Sequence, residues 1–487
     1  MPKVNTQSDG KWTITLSNFY EGFSPAFWKN SLSSIGNSGQ ANDMKNINIL
    51  DPNVLTQGPG LAALTNGTQV GAVTDLVKHI LDRAVADNVT YAISETKLHK
   101  LSATAVINTG AFPRTITWAT DGQSVALLKG NLYYLYNKTS GGDIGRFNLD
   151  ATFDDGWNSS GVPTGGAALQ KAPHPVATKE DIMIFGNGRY VGVFINESNT
   201  ITVNKLDFGQ NNEVADIVFS ANNWLIAVNS PNLTGSNRSE GNIFLYDGSA
   251  TTSLLDDEVG AGLQRIGFLK VIGGIVFVAY QDLSSLGFKI GFVSGRKITP
   301  IGSFTGSLPL FYQKTLFENT ILFLSGQKIF SNGAVTDDFP IQTSHLATAR
   351  YATAGAIAAP FGTVLVASKN GANASLDKFN NFTVDANWTS LVHKVSQGRT
   401  LSYVDEVTVW TEAFASGGRV DLTLQYNQNS SNSGAKTVSA ASKRQHNIKI
   451  DKGGIEDLRL FLNFASGSAT IPIKIRSIEI LGHFTKQ

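Results

Sequence analysis

Residues 124–137 read SVALLKGNLYYLYN: an apolar run from Val125 to Leu128, a Lys-Gly-Asn turn, and a second run bearing Tyr133, Tyr134 and Tyr136. An apolar stretch without alternation marks a strand covered on both faces. Gly130 and Asn131 are residue types that supply positive φ in a tight hairpin turn. The same hairpin recurs between Val89 and Phe379, as VTYAISETKLHKLS from Val89, DIMIFGNGRYVGVFI from Asp181, NWLIAVN with NIFLYDG from Asn223, GIVFVAY with FKIGFVSG from Gly274, TILFLSGQKIFSNG from Thr320 and TVLVASKNGANASLDKF from Thr363. The copies start roughly 35 to 57 residues apart, bracketing the period of about 40 to 50 expected of propeller blades.

A blade supplies what this pattern requires, because radial packing covers the middle of each sheet on both sides and closing the ring leaves only short edges. The expected fold class is therefore all-β: a β-propeller of about seven blades over residues 71–380. The irregular spacing also admits six or eight blades, and a large sandwich or a β-helix built from similar hairpins is the alternative.

Beyond the NNFTVDANWT segment that closes the last hairpin, the period-two signal becomes cleaner. Val420, Leu422, Leu424 and Tyr426 share one face of RVDLTLQY; Ile471, Ile473 and Ile475 share another, with Ile478, Ile480 and Leu481 following after a change of phase at Arg476-Ser477. Such a change predicts a bulge or a bend. Residues 381–487 are thus expected to form a separate, jelly-roll-like C-terminal β-sandwich.

Residues 1–70 read as an extended N-terminal arm, in which Trp12, Phe19, Tyr20, Phe23, Phe27 and Trp28 crowd together. Six large rings are costly to leave in water, so they either cover their own chain or dock on a neighbouring subunit; they are the candidate partner-interface residues. Val73, Leu76, Val77, Ile80, Leu81, Ala84 and Val85 recur at three-and-four spacing and predict one short helix over about 74–86.

Composition narrows the function classes. Charged residues form 16% of the 487, below the roughly 25% of an average domain, and the formal net charge is +1, so neither a nucleic-acid backbone nor an anionic membrane is an expected partner. There is no cysteine, which removes disulfides and thiolate metal sites. The start MPKVNTQSDGKW has no basic and apolar leader pattern, and no apolar run is long enough for membrane insertion, so folding in a cytoplasm is expected.

Chemistry-bearing motifs are sparse. The histidines His79, His99, His174, His345, His393, His446 and His483 include no pair at ligand spacing, and solvated or hydrogen-bonded roles are expected for them. The acidic clusters Asp154-Asp155, Asp256-Asp257-Glu258 and Asp337-Asp338 read as solvated loop acids. Gly186-Asn187-Gly188 followed by Gly192 reads as a hairpin turn, not a dinucleotide loop. No catalytic, cofactor-binding or metal residue is assigned, no cofactor is expected, and the chain is expected not to be an enzyme.

GFSPAFW at 22–28, DPNVLTQGPGLAALTNGTQ at 51–69, VTDLVKHIL leading into TYAIS, and the closing IPIKIRSIEILGHF together resemble structural proteins of tailed bacteriophages, of the propeller-containing tail or baseplate type. The resemblance implies a rigid virion component, assembled in the host cytoplasm, that forms a homo-oligomeric ring and contacts other virion proteins. One alternative is a glycan-binding adhesin or receptor-binding protein, with Trp388, Trp410 and Tyr426 as candidate stacking faces for a host glycan. A propeller glycosidase using acidic residues of the central channel is a second.

Overall fold

The computed structural model describes residues 10–485 apart from 18, 20–40, 50–53, 65–74, 86–87, 109, 150–151, 232–238, 250, 254–262, 283–286, 296, 318–319, 335–340, 383–384, 397–400, 429–430, 440–441, 466 and 469–470. The chain is all-β, and it divides into two compact units: Ala63–Gln327 with Ala349–Lys378, and Met1–Ala62 with Lys328–Thr348 and Phe379–Gln487.

The first unit is the propeller. Its innermost strands are Val77–Ile80, Asp121–Leu128, Val176–Lys179, Glu213–Ser220, Leu263–Ile272, Lys314–Phe317 and Thr353–Ala358, each the first strand of an antiparallel sheet. Each packs against the innermost strand of the next blade, and the last packs against the first, so seven blades close into a ring. In sheet order the sixth blade continues into Lys328–Ala334 and Ile341–Thr348, and the seventh ends on Gly60–Ala63, a strand that precedes the first blade in sequence. Each of the seven repeated hairpins falls in its own blade. Where the seventh blade meets the first, a side chain at Gly355 would come within 2.4 Å of the Val77 carbonyl oxygen, so the approach requires a glycine.

The core lies between blades, which explains the unbroken apolar runs. Along Asn131–Asn137, Tyr133 and Leu135 pack with Trp157, Met183 and Phe185 toward the third blade, while Leu132, Tyr134 and Tyr136 pack with Ile93, Leu98 and Phe112 toward the first. Alternate side chains thus enter different cores, and neither face is wet. Tyr134 lies flat across its cross-strand partner Gly145, where a Cβ would stand 2.1 Å from the ring.

Side chains also tie one blade to the backbone of the next. The Asn137 amide donates to the Ala172 carbonyl at 3.0 Å and accepts from the Ala172 N–H at 3.2 Å. Ser124 donates to the His174 carbonyl at 2.6 Å, and Gln313 donates to the Ala354 carbonyl at 3.1 Å. Each bond satisfies a backbone group at a blade boundary, where no ladder continues.

Over the described residues 75–85 the helix expected at 74–86 is absent: Val77–Ile80 is a strand paired with Val89–Ser94. An innermost strand is covered on both sides, so apolar residues at adjacent positions are as natural there as on a helix face, and a short run does not separate the two by period. The extended arm is likewise corrected within the described residues. Lys11–Leu16 pairs along the whole of its length with the last strand, Lys474–Phe484, and Ala41–Lys45, Ile47–Asn48 and Leu55–Gln57 are also strands of the second unit.

That second unit contains two antiparallel sheets. One runs Ile47–Asn48, Leu55–Gln57, Lys474–Phe484, Ser402–Thr411, Gln445–Ile455, with Lys11–Leu16 also on Lys474–Phe484; the other is built around Asp457–Ala465 and Arg419–Tyr426. One hydrophobic core joins them, with Val420, Leu422, Leu424 and Tyr426 facing inward from one sheet and Ile475, Ile478 and Ile480 from the other. The expected bulge is present: Trp410 pairs with Ser477 and Thr411 with Ile475, leaving Arg476 as the extra residue. Ile471 and Leu481 do not share this face, Ile471 being exposed and lying before the strand.

Candidate functional site

The innermost strands begin at one end of the central channel, and there they are irregular. Register breaks between Val77 and His79, Gly122 and Ser124, Val214 and Asp216, and Ile266 and Phe268, so Lys78, Gln123, Ala215 and Gly267 are bulged residues in four different blades. All four line one cavity of about 290 Å³. A bulge bends its strand and re-aims a side chain, and its repetition around the ring opens the channel into a mouth.

The mouth combines charged and amide side chains with the aromatic rings of Phe311 and Tyr312. Lys78 and Asp121 stand 3.6 Å apart, Gln123 donates to Asp121 at 2.7 Å, and the Lys78 ammonium lies 6.0 Å from the centre of the Tyr312 ring. Burial, and then the charge of Asp121, push the Tyr312 phenol up to about 12, so it stays a hydrogen-bond donor. Burial raises the Glu213 carboxyl above its ordinary value, against the opposing charge of Arg265. Glu213, Asn229, Arg265, Lys171 and Ala172 also line an adjoining cavity of about 660 Å³, which extends past Arg189 and Asn211.

Further along lie the buried pair Lys314 and Asp216 and the more exposed pair Lys270 and Asp82. Lys314 is ion-paired with Asp216 and also donates to the Leu269 carbonyl. Burial pushes Lys314 down to about 8 and Asp216 up, against their mutual attraction. Lys270 contacts Asp82 at 2.8 Å, and Thr315 donates to Asp82 at 2.5 Å. His79 accepts from the Val125 N–H at 3.2 Å and is held near 4, chiefly by burial.

None of these mouth residues is conspicuous in sequence. They recur where the apolar run of an innermost strand begins: aligning four blades on their bulges brings Asp121, Glu213 and Arg265 into register two positions before the bulge, with Lys78 at the bulge itself.

The residues singled out from sequence fall elsewhere. Trp12 and Phe19 are fully buried in the sandwich core, Phe19 edge-on to Trp388 at 5.6 Å, so they cover their own chain. Tyr20, Phe23, Phe27 and Trp28 lie outside the described residues. Trp388 and Tyr426 are core side chains, not stacking faces, while Trp410 lines an open cavity of about 620 Å³ beside Glu412, Arg444 and Arg476.

Asp155 is buried, not a solvated loop acid. It accepts from Tyr134 at 2.6 Å, from the Thr117 N–H at 2.9 Å and from Arg114 at 3.1 Å. Burial pushes its carboxyl up, but these donors together hold it below the ordinary carboxylate range. Asp256-Asp257-Glu258 and Asp337-Asp338 lie outside the described residues. Five of the seven histidines are buried and His79 is half-buried, while His483 contacts Asp405 at 3.0 Å. Gly188 and Arg189 form the hairpin turn expected between Ile182–Asn187 and Tyr190–Ile195. Among the described residues no group of three or more histidine and acidic side chains is placed to hold a metal ion.

No family model and no curated protein matches the chain. Solved structures that it is similar to include the extracellular domain of the hybrid two-component system BT3049 of B. thetaiotaomicron, at 9% identity and TM-score 0.48 over 92% of this chain and 62% of that one. The extracellular domain of the one-component system BT4673 of the same organism matches at 12% identity and TM-score 0.46, over 73% of this chain and 45% of that one, so this chain spans under half its length. The β-propeller domain of the Trilobed protease from Pyrococcus furiosus matches at 7% identity and TM-score 0.41, over 62% of this chain and 95% of that one. Likenesses at this level carry no argument about activity. They do correct the expected kinship with bacteriophage tail and baseplate proteins: these structures are extracellular bacterial domains and a protease propeller, and the virion role and virion location drawn from that resemblance are set aside.

Proposed function

We propose that the propeller is a carbohydrate-binding module that receives its ligand in the channel mouth and does not turn it over. The observation that carries this reading is the single cavity that bulged residues of four blades line together with Tyr312. A sugar presents hydroxyls, each both donor and acceptor, around an apolar C–H face. Asp121 and Glu213 accept, Lys78 and Arg265 donate, Gln123 does both, and Tyr312 offers an aromatic surface. Because all of these groups but Tyr312, which lies in the turn before Lys314–Phe317, stand on strands of a closed ring, their geometry is largely set before the ligand arrives.

The test is binding of the full chain to an immobilised array of mono- to hexasaccharides built from hexose, hexosamine and uronic acid rings. Retention of a defined glycan set by the wild type, lost in Glu213→Gln and Arg265→Ala, is the expected result. Uniform silence of the wild type sinks the proposal.

The raised Glu213 carboxyl favours a second reading, glycoside hydrolysis with Glu213 as proton donor and Asp121 as the second carboxylate. New reducing ends released from a bound glycan by the wild type, and absent with Glu213→Gln, would replace binding by turnover.

A further inference from the structure

Trp118 is the only exposed aromatic ring among the described residues, with 63% of its surface in water. Its backbone has φ of 68°, a left-handed conformation that is unfavourable for a bulky side chain and persists only where the surroundings impose it. Those surroundings are identifiable. The Thr117 N–H donates to buried Asp155 at 2.9 Å, the Ala119 N–H to the Ile116 carbonyl at 3.3 Å, and the Thr120 N–H to the Asn137 carbonyl at 2.8 Å. Both flanks of Trp118 are thus pinned to the blade, and the ring is held outward.

The loop that carries Trp118 leads directly into the innermost strand of the second blade, three residues before Asp121 of the mouth. Lys138, next to mouth residue Asn137, places its ammonium 5.9 Å from the centre of the Trp118 ring. That lysine is fixed in turn by Asp143 at 2.6 Å, and Asp143 also accepts from Ser159 at 2.5 Å. A single exposed ring with one ammonium over it is not the broad apolar patch that a protein partner covers. It matches one sugar ring, whose C–H face meets the open part of the indole while a hydroxyl meets Lys138.

We propose that Trp118 is a second stacking platform on the rim of the channel mouth, so that the ligand is an oligosaccharide of at least two rings. This rests on the carbohydrate reading above and adds chain length to it. Holding the ring outward at the cost of a strained backbone suits a platform that must be in place before the chain arrives.

The test uses the full chain with Trp118→Gly, in which glycine tolerates the left-handed backbone, and with Trp118→Phe, which keeps an aromatic face. Calorimetry with a length series of the glycan retained on the array should show wild-type affinity rising from one ring to two. In Trp118→Gly that rise should fall by about tenfold, with monosaccharide affinity unchanged, and Trp118→Phe should recover part of it. An identical length dependence in Trp118→Gly overturns the inference while leaving the mouth reading intact. Glycan binding that survives Glu213→Gln and Arg265→Ala overturns the mouth reading, and silence of the wild type on the array overturns both. Retention of a protein partner that Trp118→Gly abolishes, with no change in glycan binding, assigns the ring to that partner and also overturns the inference.

Discussion

The Asn229 side-chain amide bonds to both backbone polar groups of Ile266, donating to its carbonyl at 2.9 Å and accepting from its N–H at 2.7 Å. It occupies the position of a missing strand at the boundary of the fourth and fifth blades, and the Asn137 amide does the same for Ala172 between the second and third. Replacing Asn229 with Ala leaves a buried N–H and a buried C=O without partners. The expected loss is about 2–4 kcal/mol, read from urea unfolding of the full chain. Asn229→Asp keeps the acceptor but sets a carboxylate oxygen against the Ile266 carbonyl at a buried position, so it is expected to cost at least as much.

Lys314 and Asp216 are paired inside the channel, and Asp216 also accepts from the Leu269 N–H at 2.6 Å. Removing one member leaves the other buried and uncompensated, so Lys314→Met should destabilise by about 3–5 kcal/mol. The double variant Lys314→Met with Asp216→Asn should be less destabilised than Lys314→Met alone. Thermal unfolding of the three proteins checks the order, and equal losses would show that the pair is not coupled.

His79, His99, His174 and His345 are each held near 4 from an ordinary 6.5, in every case mainly by burial. Between those values the unfolded chain binds protons that the folded chain does not. Stability contributed by the neutral rings is therefore complete above about pH 6.5 and is lost as pH falls toward 4. Each histidine should add up to about 1.4 kcal/mol per pH unit to the slope in that window. Denaturant midpoints at pH 7 and pH 5 check this, and a flat profile would contradict it.

Trp12 is fully buried in the sandwich core, and its indole N–H has no hydrogen-bond partner among the described residues. Trp12→Ala should therefore cost about 3–5 kcal/mol as a core truncation, whereas Trp12→Phe gives up no hydrogen bond and should cost less. Differential scanning calorimetry should show the loss as unfolding of the folded chain, not as dissociation of an oligomer.

Much of the architecture was legible because it is local. Each hairpin is formed by neighbours in the chain, so SVALLKGNLYYLYN and its counterparts announce blades, and Val420 to Tyr426 announce a sandwich strand by strict alternation. The Arg476 bulge was legible for the same reason, since a change of phase is written in consecutive residues.

The sequence by itself determined the β class, the blade repeat and the cleaner alternation that follows it. Tertiary structure decided that Val77–Ile80 is a strand and not a helix, because only the closed ring covers it on both sides. It decided that Lys11–Leu16 completes a sheet with residues more than four hundred positions away, a pairing no local pattern encodes. The mouth, too, exists only in the ring: Lys78, Asp121, Glu213 and Arg265 are unremarkable residues of separate blades until closure brings them around one cavity. Period and propensity act between near neighbours, whereas a binding site is made by burial and charge acting across contacts that only the folded chain creates.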